Sequence, residues 1–155
     1  MIEFSLSAGP LEPEARREQL ADPRCGGYVT FEGWVRNTNE GLDVTRLEYQ
    51  AYERLAVKEG QRVLNEAMAR FPLMHAFCMH RIGELAIGDL AVWVAVSAGH
   101  RDEAFRGCRY VIDEIKLRVP IWKKEHYVNG DSGWVNCEAC AHPHTGAHDH
   151  GEHRP

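Results

Sequence analysis

The sequence lacks the features that identify several common classes of protein. It has no apolar run long enough to cross a bilayer, and MIEFSLSAGPLEPEARREQL lacks the charged start and apolar stretch of a secretory signal. Its 18 Lys and Arg are outnumbered by 23 Asp and Glu, so general electrostatic attraction to nucleic acid is not expected. These absences predict a cytoplasmic protein in which any anion-binding site is local.

Nucleotide and nucleophile motifs are missing as well. There is no P-loop, no dinucleotide fingerprint and no serine in a G-x-S-x-G elbow. The five cysteines are an odd number, and Cys25, Cys78 and Cys108 stand alone, which favours small core residues in a reducing compartment over a disulfide framework. Cys108 falls on an apolar helical stripe, so we interpret it as core and not as a thiol partner of His100.

The order of the predicted elements indicates one α+β domain. With 155 residues, 44% of them hydrophobic, the chain has the size of a single core. Turn sequences at 37–41 and 129–133 and an irregular order of helices and strands favour a mixed or antiparallel sheet. Helices are predicted at 10–20, 51–71 and 101–118, and strands at 28–35, 44–49, 75–82, 90–98, 121–128 and 134–136.

The composition changes after Asn136. The last segment holds five of the nine histidines and no large aliphatic side chain, so we predict a domain over 1–136 and a disordered Cys/His-rich tail over 137–155. The tail's ligand types suit zinc, copper or nickel, but no second well-spaced pair lies within a foldable unit, so no resident metal or cofactor is predicted. The weak metal candidates are Cys137, Cys140, His142 and His144. A non-catalytic metal-binding or metal-delivery protein acting through this tail is the alternative function.

Positive charge is concentrated in KLRVPIWKKE, residues 116–125. On a helical wheel Lys116 falls at the margin of an apolar stripe. There it is either partly desolvated and suited to proton transfer or oxyanion stabilisation, or its stem covers the core while its head stays in water. The wheel alone favours the second explanation. The stripe consists of Phe105, Cys108, Ile112, Ile115 and Val119.

Beyond Pro120, strand alternation separates two neighbouring lysines. Lys123 shares a face with Ile121 and Glu125, whereas Lys124 points the other way with Trp122 and His126. Only one of the two lysines can therefore share a pocket with Lys116. Taken alone, both are better explained as a solvated strand face.

Three further cationic side chains stand at the ends of predicted elements. His100 and Arg101 begin a helix, where backbone N–H groups favour anions. Arginine is otherwise unfavourable at a helix start. An anion-binding role and a chance position on the surface are therefore equally supported explanations for these residues. Arg36 closes the first strand of GWVRNTN where a loop begins, which is weak support for a binding role.

Together these segments resemble one family, the large catalytic subunit of molybdopterin synthase, known as the MoaE family. The resemblance runs in family order from about Gly26 to Asn136, and its most specific block ends in KLRVPIWKKE. The matching segments are GGYVTFEGWVRNTNEG, VTRLEYQAYERLA, HRIGELAIGD, AVSAGHRDEAFRGCRYVIDEIKLRVPIWKKE and GDSGWVNC. The Cys/His-rich tail has no counterpart in the family pattern.

The resemblance implies an α/β-hammerhead fold and a homodimer within a heterotetramer. Each large subunit would bind a small ubiquitin-like sulfur carrier whose C-terminal Gly-Gly bears a thiocarboxylate. The implied reaction, a step of molybdenum cofactor biosynthesis, is sulfur transfer to cyclic pyranopterin monophosphate, which forms the dithiolene of molybdopterin.

The resemblance also implies roles for five residues. Lys116 and Lys123 match the family's catalytic lysines, and Arg36, His100 and Arg101 match its substrate-binding residues. We expect the last three to converge on one anion and Pro120 to fix the angle between helix and strand. A phosphate-ligand or RNA-binding module would also use the basic cluster, but the acidic balance and the lack of a stacking pattern argue against it.

Overall fold

The computed structural model describes residues 1–136. Residues 137–155, with Cys137, Cys140, His142 and His144, lie outside the described residues, so the predicted tail and its weak metal candidates are not tested by the fold. In chain order the elements are β1 (Ile2–Ser7), α1 (Pro13–Leu20), β2 (Gly27–Trp34), β3 (Thr38–Asn39), β4 (Leu42–Ala51), α2 (Glu53–Arg70), β5 (Leu73–Arg81), β6 (Gly83–Ala86), β7 (Leu90–Ala98), α3 (Arg101–Arg118), β8 (Ile121–Tyr127) and β9 (Ser132–Asn136).

The first sheet is mixed and forms the middle layer of the domain. Its strand order is β1-β5-β7-β2, with β1 parallel to β5 and the other pairs antiparallel. Helix α1 packs Leu20 near Phe77 and Trp93 on one face, while the large core under α2 and α3 covers the other. Among the described strands β2 is an outer one, and its Tyr28, Phe31 and Trp34 are 39%, 40% and 66% exposed.

The second sheet is antiparallel and carries the end of the basic segment. Its order is β3-β4-β8-β9, with β6 also paired to β4. Helix α3 ends at Arg118, and the chain bends at Pro120 into β8, where the Pro120 carbonyl accepts a hydrogen bond from the Tyr52 N–H at 3.2 Å. The prediction that Pro120 ends the helix and that a strand follows it is therefore confirmed.

A charged cluster ties the end of α3 to α2. The Arg118 guanidinium donates to Glu59 at 2.8 and 2.9 Å and to Glu66 at 2.5 and 3.0 Å, and also reaches Glu114 at 3.3 Å. The hydrogen bonds from Arg118 hold the pKa of Glu66 below its usual value. The end of α3 from which Lys116 projects is thereby fixed against a second helix.

The predicted α+β class with a mixed and an antiparallel sheet is confirmed, and the predicted bounds of α3 agree with the structure. Strands β1, β3 and β6 were not predicted. The short β3 lies within the predicted turn at 37–41, whereas β1 and β6 each pair with a strand distant in sequence. Phe105 was wrongly assigned to the buried stripe of α3, because it is 62% exposed while Ala104, Gly107 and Val111 complete the buried face.

None of the helices among residues 1–136 is long and apolar enough to span a membrane.

Two helix glycines allow close packing against the first sheet. A Cβ on Gly60 of α2 would overlap the Phe4 ring of β1, and one on Gly107 of α3 would lie 2.7 Å from a Leu73 methyl of β5. These contacts set the height of both helices above the sheet, and with it the position of the α3 end.

We expect Gly60→Ala to destabilise the protein. Alanine favours a helix over glycine by about 1 kcal/mol, but overpacking against a rigid ring costs about 1–3 kcal/mol. Urea denaturation should show a lower free energy of unfolding, with Lys58→Ala on the exposed side of α2 as control. A Gly60→Ala protein that is more stable than the wild type would contradict the close contact.

Candidate active site

The two lysines predicted to be catalytic come from different elements and lie around the same tyrosine. Lys116, in the last turn of α3, places its Nζ 6.0 Å from the centroid of the Tyr49 ring in β4. Tyr49 is directly opposite Lys123 in the antiparallel ladder of β4 and β8, and directly opposed residues point to the same face. The structure therefore brings Lys116 and Lys123 to neighbouring positions.

The predicted alternation along β8 is confirmed. The Lys123 side chain is only 12% exposed and lies 3.1 Å from the Glu125 carboxylate. Lys124 instead stands over the Trp134 ring at 5.5 Å. That outer face also carries a cleft of about 360 Å³ lined by Tyr52, Trp122 and Trp134 among others. Lys124 therefore lies on the opposite face of the sheet from the lysine pair.

Glu125 places a buried negative charge beside Lys123. Glu125 is 5% exposed. Its Oε2 accepts hydrogen bonds of 2.6 Å from both the Tyr127 hydroxyl and the Asn39 amide. Burial alone would raise the pKa of Glu125, but the hydrogen bonds from Tyr127 and Lys123 outweigh it and the pKa is lowered. The carboxylate is thus ionised at neutral pH and holds Lys123 in place.

A neutral histidine lies behind Tyr49. His80 of β5 is 1% exposed, its ring packs edge-to-face on Tyr49 at 4.8 Å, and its Nδ1–H donates to the Arg81 carbonyl at 2.7 Å. Burial, with a contribution from Lys116, lowers the pKa of His80 to about 3. His80 therefore contributes packing and no positive charge.

The cysteines are poor candidates for chemistry at this site. Cys78 and Cys108 are buried, as predicted, and burial raises the pKa of both thiols, that of Cys108 to about 12. Cys25 was also predicted to be core, but it is only half-buried and lines a cleft with Tyr28 and Ser97. Residues 1–136 contain no group of three or more His, Cys, Asp or Glu side chains that could hold a metal ion.

The three predicted anion-binding residues do not converge within one chain. His100 and Arg101 are exposed at the start of α3, and Lys116 follows fifteen residues later, about 22 Å away at 1.5 Å per residue. The backbone of Gly27, at the start of β2, lies against His100. Arg36 follows the far end of β2, a strand about 26 Å long at 3.3 Å per residue.

Arg36 belongs instead to the end of the molecule that carries the lysines. It is exposed three residues before Asn39, whose amide bonds Glu125. The expectation that Arg36, His100 and Arg101 meet at one anion is therefore wrong for a single chain, because an extended strand separates them. Their assignment to substrate binding stays a prediction.

Sequence reasoning missed Tyr49, His80, Asn39 and Tyr127. Tyr49 lies in VTRLEYQAYERLA, one of the segments that carried the resemblance. Its place between the lysines depends on the register of β4 against β8 and on the tilt of α3, and neither is set by residues near it in sequence. A strand pairing of LEYQA with IWKKE is the signal that would have pointed to it.

Comparisons with known proteins show the family to which the chain is similar. The family model described as MoaE protein matches residues 6–118. A Synechococcus elongatus protein named molybdopterin synthase catalytic subunit is 44% identical over 138 residues, covering 87% of this chain and 84% of the relative.

Solved structures give the same result. The molybdopterin synthase structure from Staphylococcus aureus is 37% identical with a TM-score of 0.78, covering 86% of this chain and 96% of that one. A Helicobacter pylori structure, described as a complex of subunits 1 and 2 of molybdopterin-converting factor, has the same fold at 20% identity, with a TM-score of 0.70 and coverage of 94% and 97%.

Fold and relatives together define the class of protein, an enzyme of molybdopterin synthesis, and confirm the predicted enzyme class and the predicted fold. The chain belongs to the MoaE family.

We expect Glu125→Gln to lower the stability in a pH-dependent way. Because the pKa of Glu125 is lowered by folding, its stabilising contribution is complete above the usual pKa of glutamate and is lost as the pH falls through the folded value. The variant should be about 1–3 kcal/mol less stable at pH 7, and the difference should shrink below about pH 4. Urea denaturation across this range checks it.

Glu18→Gln, on the exposed side of α1, is the matched control and should behave like the wild type. A stability difference between wild type and Glu125→Gln that is the same at pH 7 and pH 3 would show that the ionised carboxylate does not stabilise the fold.

Proposed function

We propose that this chain is the catalytic subunit of a molybdopterin synthase. It would transfer sulfur from the C-terminal thiocarboxylate of a small ubiquitin-like subunit to cyclic pyranopterin monophosphate, forming the molybdopterin dithiolene. The observation that carries the proposal is the pairing of Lys116 and Lys123 around Tyr49, in a chain whose relatives are named for this activity.

Two ammonium groups suit this chemistry. Thiocarboxylate and cyclic phosphate are both anions, so the enzyme must reduce their mutual repulsion and stabilise the charge that develops on oxygen as the phosphate ring opens. Lys116 serves as the acid/base or oxyanion-stabilising group, and Lys123, held by Glu125, supports it. Arg36, on the same end of the domain, contributes to holding the phosphate.

The sulfur donor is a separate chain in this proposal. Cys78 and Cys108 are buried thiols with raised pKa values, so neither is suited to act as a sulfur carrier. The Helicobacter pylori structure of the same fold is described as a complex of two subunits, which supports a partner for this chain as well. A glycine-rich end is the kind of segment that can pass a narrow entrance to Lys116.

A second copy of the chain completes the site. His100 and Arg101 lie about 22 Å from Lys116 along α3, too far to share a substrate with it within one chain. In the homodimer implied by the resemblance, the start of α3 from one copy would reach the lysine pair of the other. Two such large subunits, each with one small subunit, form the proposed heterotetramer.

We place the reaction in the cytoplasm, because the described cysteines Cys25, Cys78 and Cys108 form no disulfide. The catalytic domain is proposed to end at Asn136, with the Cys/His-rich segment 137–155 outside it. The relatives support the synthase function and give no support to metal delivery through that segment.

We expect Lys116→Ala to abolish product formation, Lys123→Ala to impair it strongly and Lys124→Ala to leave it near normal. Removing an amine that stabilises transition-state charge costs on the order of a hundredfold or more, whereas Lys124 faces the other side of β8. Single-turnover assays with the thiocarboxylated small subunit and the cyclic precursor measure the dithiolene formed. Equal activity of the Lys116 and Lys124 variants, with all proteins folded, would overturn the proposed roles.

We expect mixed dimers to distinguish residues of one copy from those of the other. Lys116→Ala and Arg101→Ala proteins should each be inactive, yet a mixture refolded together should regain roughly a quarter of the wild-type activity, because half of the dimers are mixed and each has one intact site. Mixing Lys116→Ala with Lys123→Ala is the control and should regain none. Equal recovery in both mixtures, or none in either, would contradict a site shared between copies.

A further inference from the structure

We propose that Tyr49 is a positioning residue that sets the arrangement of Lys116 and Lys123 through its aromatic ring. The inference rests on the proposed function, since it assigns a task within that active site. Neither the sequence patterns nor the family resemblance pointed to Tyr49, and it becomes visible only when β4, β8 and α3 are assembled.

Tyr49 is a common neighbour of both lysine residues. Lys116 reaches it from the last turn of α3, with Nζ 6.0 Å from the ring centroid, and Lys123 stands opposite it on β8. The Pro120 junction fixes the backbone of α3 relative to β8, but it leaves the conformations of two long and flexible lysine side chains unset. A fixed side chain that lies next to both lysines can order the two amines relative to each other.

An aromatic ring suits this task better than an aliphatic side chain. Its face carries partial negative charge and attracts an ammonium group without withdrawing it into a hydrogen bond. Two neighbouring ammonium groups repel each other, and the repulsion is eased where one lies by a π face and the other by the Glu125 carboxylate. Both amines are thereby held close without being neutralised.

The ring itself is held rigidly. Tyr49 is 6% exposed, and His80 packs against it at an interplanar angle of 82°. His80 is fixed in turn by its hydrogen bond to the Arg81 carbonyl, while Arg81 reaches Asp89 at 3.1 Å. The fixed ring therefore provides a reference position against which a flexible lysine can be ordered.

The test compares Tyr49→Phe, which keeps the ring, with Tyr49→Leu, which removes it. Val63→Ala is the control, because it removes buried volume from α2, a helix that carries neither lysine. Single-turnover assays with the thiocarboxylated small subunit should show Tyr49→Leu slower by about tenfold or more at saturating substrate, with the half-saturating concentration nearly unchanged. The rate of Tyr49→Phe should stay within about threefold of the wild-type rate. The rate of Val63→Ala should equal the wild-type rate at temperatures where the variant and the wild type are both folded.

A second measurement does not depend on catalysis. In NMR spectra of the isolated chain, the ring current of Tyr49 should shift the ε-methylene protons of Lys116 upfield of those of exposed Lys58. The shift should persist in Tyr49→Phe and vanish in Tyr49→Leu.

Each contrary result overturns a defined step. If the Lys116 chemical shift of the wild type equals that of Lys58, Lys116 does not lie by the ring. If Tyr49→Leu reacts as fast as the wild type, catalysis does not need the ring. If Tyr49→Phe is as slow as Tyr49→Leu, the hydroxyl and not the ring has the task. A wild-type protein that forms no dithiolene refutes the proposed function and, with it, the positioning role of Tyr49 in catalysis. The NMR shift then still decides whether Lys116 lies by the ring.

Discussion

The site depends on how firmly the end of α3 is attached to the rest of the domain. One guanidinium, that of Arg118, binds carboxylates of α2 and of its own helix in a planar fork that lysine could not reproduce. Directly beyond it, the Pro120 bend turns the chain into β8. Lys116 and Lys123 lie on the two sides of this junction, so their separation is stable only because the junction does not move.

Charge around the lysines is balanced locally. Glu125 is kept ionised by hydrogen bonds from Tyr127, from Lys123 and from Asn39. Tyr127 and Lys123 lie in the same strand as Glu125, and Asn39 comes from β3. His80, which could have added a third positive charge, stays neutral because it is desolvated. A chain with net charge −5 thus concentrates positive charge at the site where the anions bind. This local charge does not require the protein to be basic overall.

Local patterns in the sequence were sufficient for some parts of the structure and not for others. The bounds of α3 follow from Pro120 and a clear helical periodicity, and the opposite orientations of Lys123 and Lys124 follow from strand alternation alone. Phe105 was misplaced because an apolar residue on a wheel need not find a partner in the fold. Tyr49 could not be found, because its contacts depend on pairing between segments far apart in sequence.

One of the two outer strands of the first sheet, β2, has a consequence for the isolated chain. Strand β2 leaves one row of backbone N–H and C=O groups without a neighbouring strand among residues 1–136, and Phe31 and Trp34 are exposed beside it. Such an edge invites pairing with other chains. The β2 amide hydrogens that point away from β7 should thus exchange quickly in dilute solution. They should exchange more slowly as the protein is concentrated, because another chain then covers this edge.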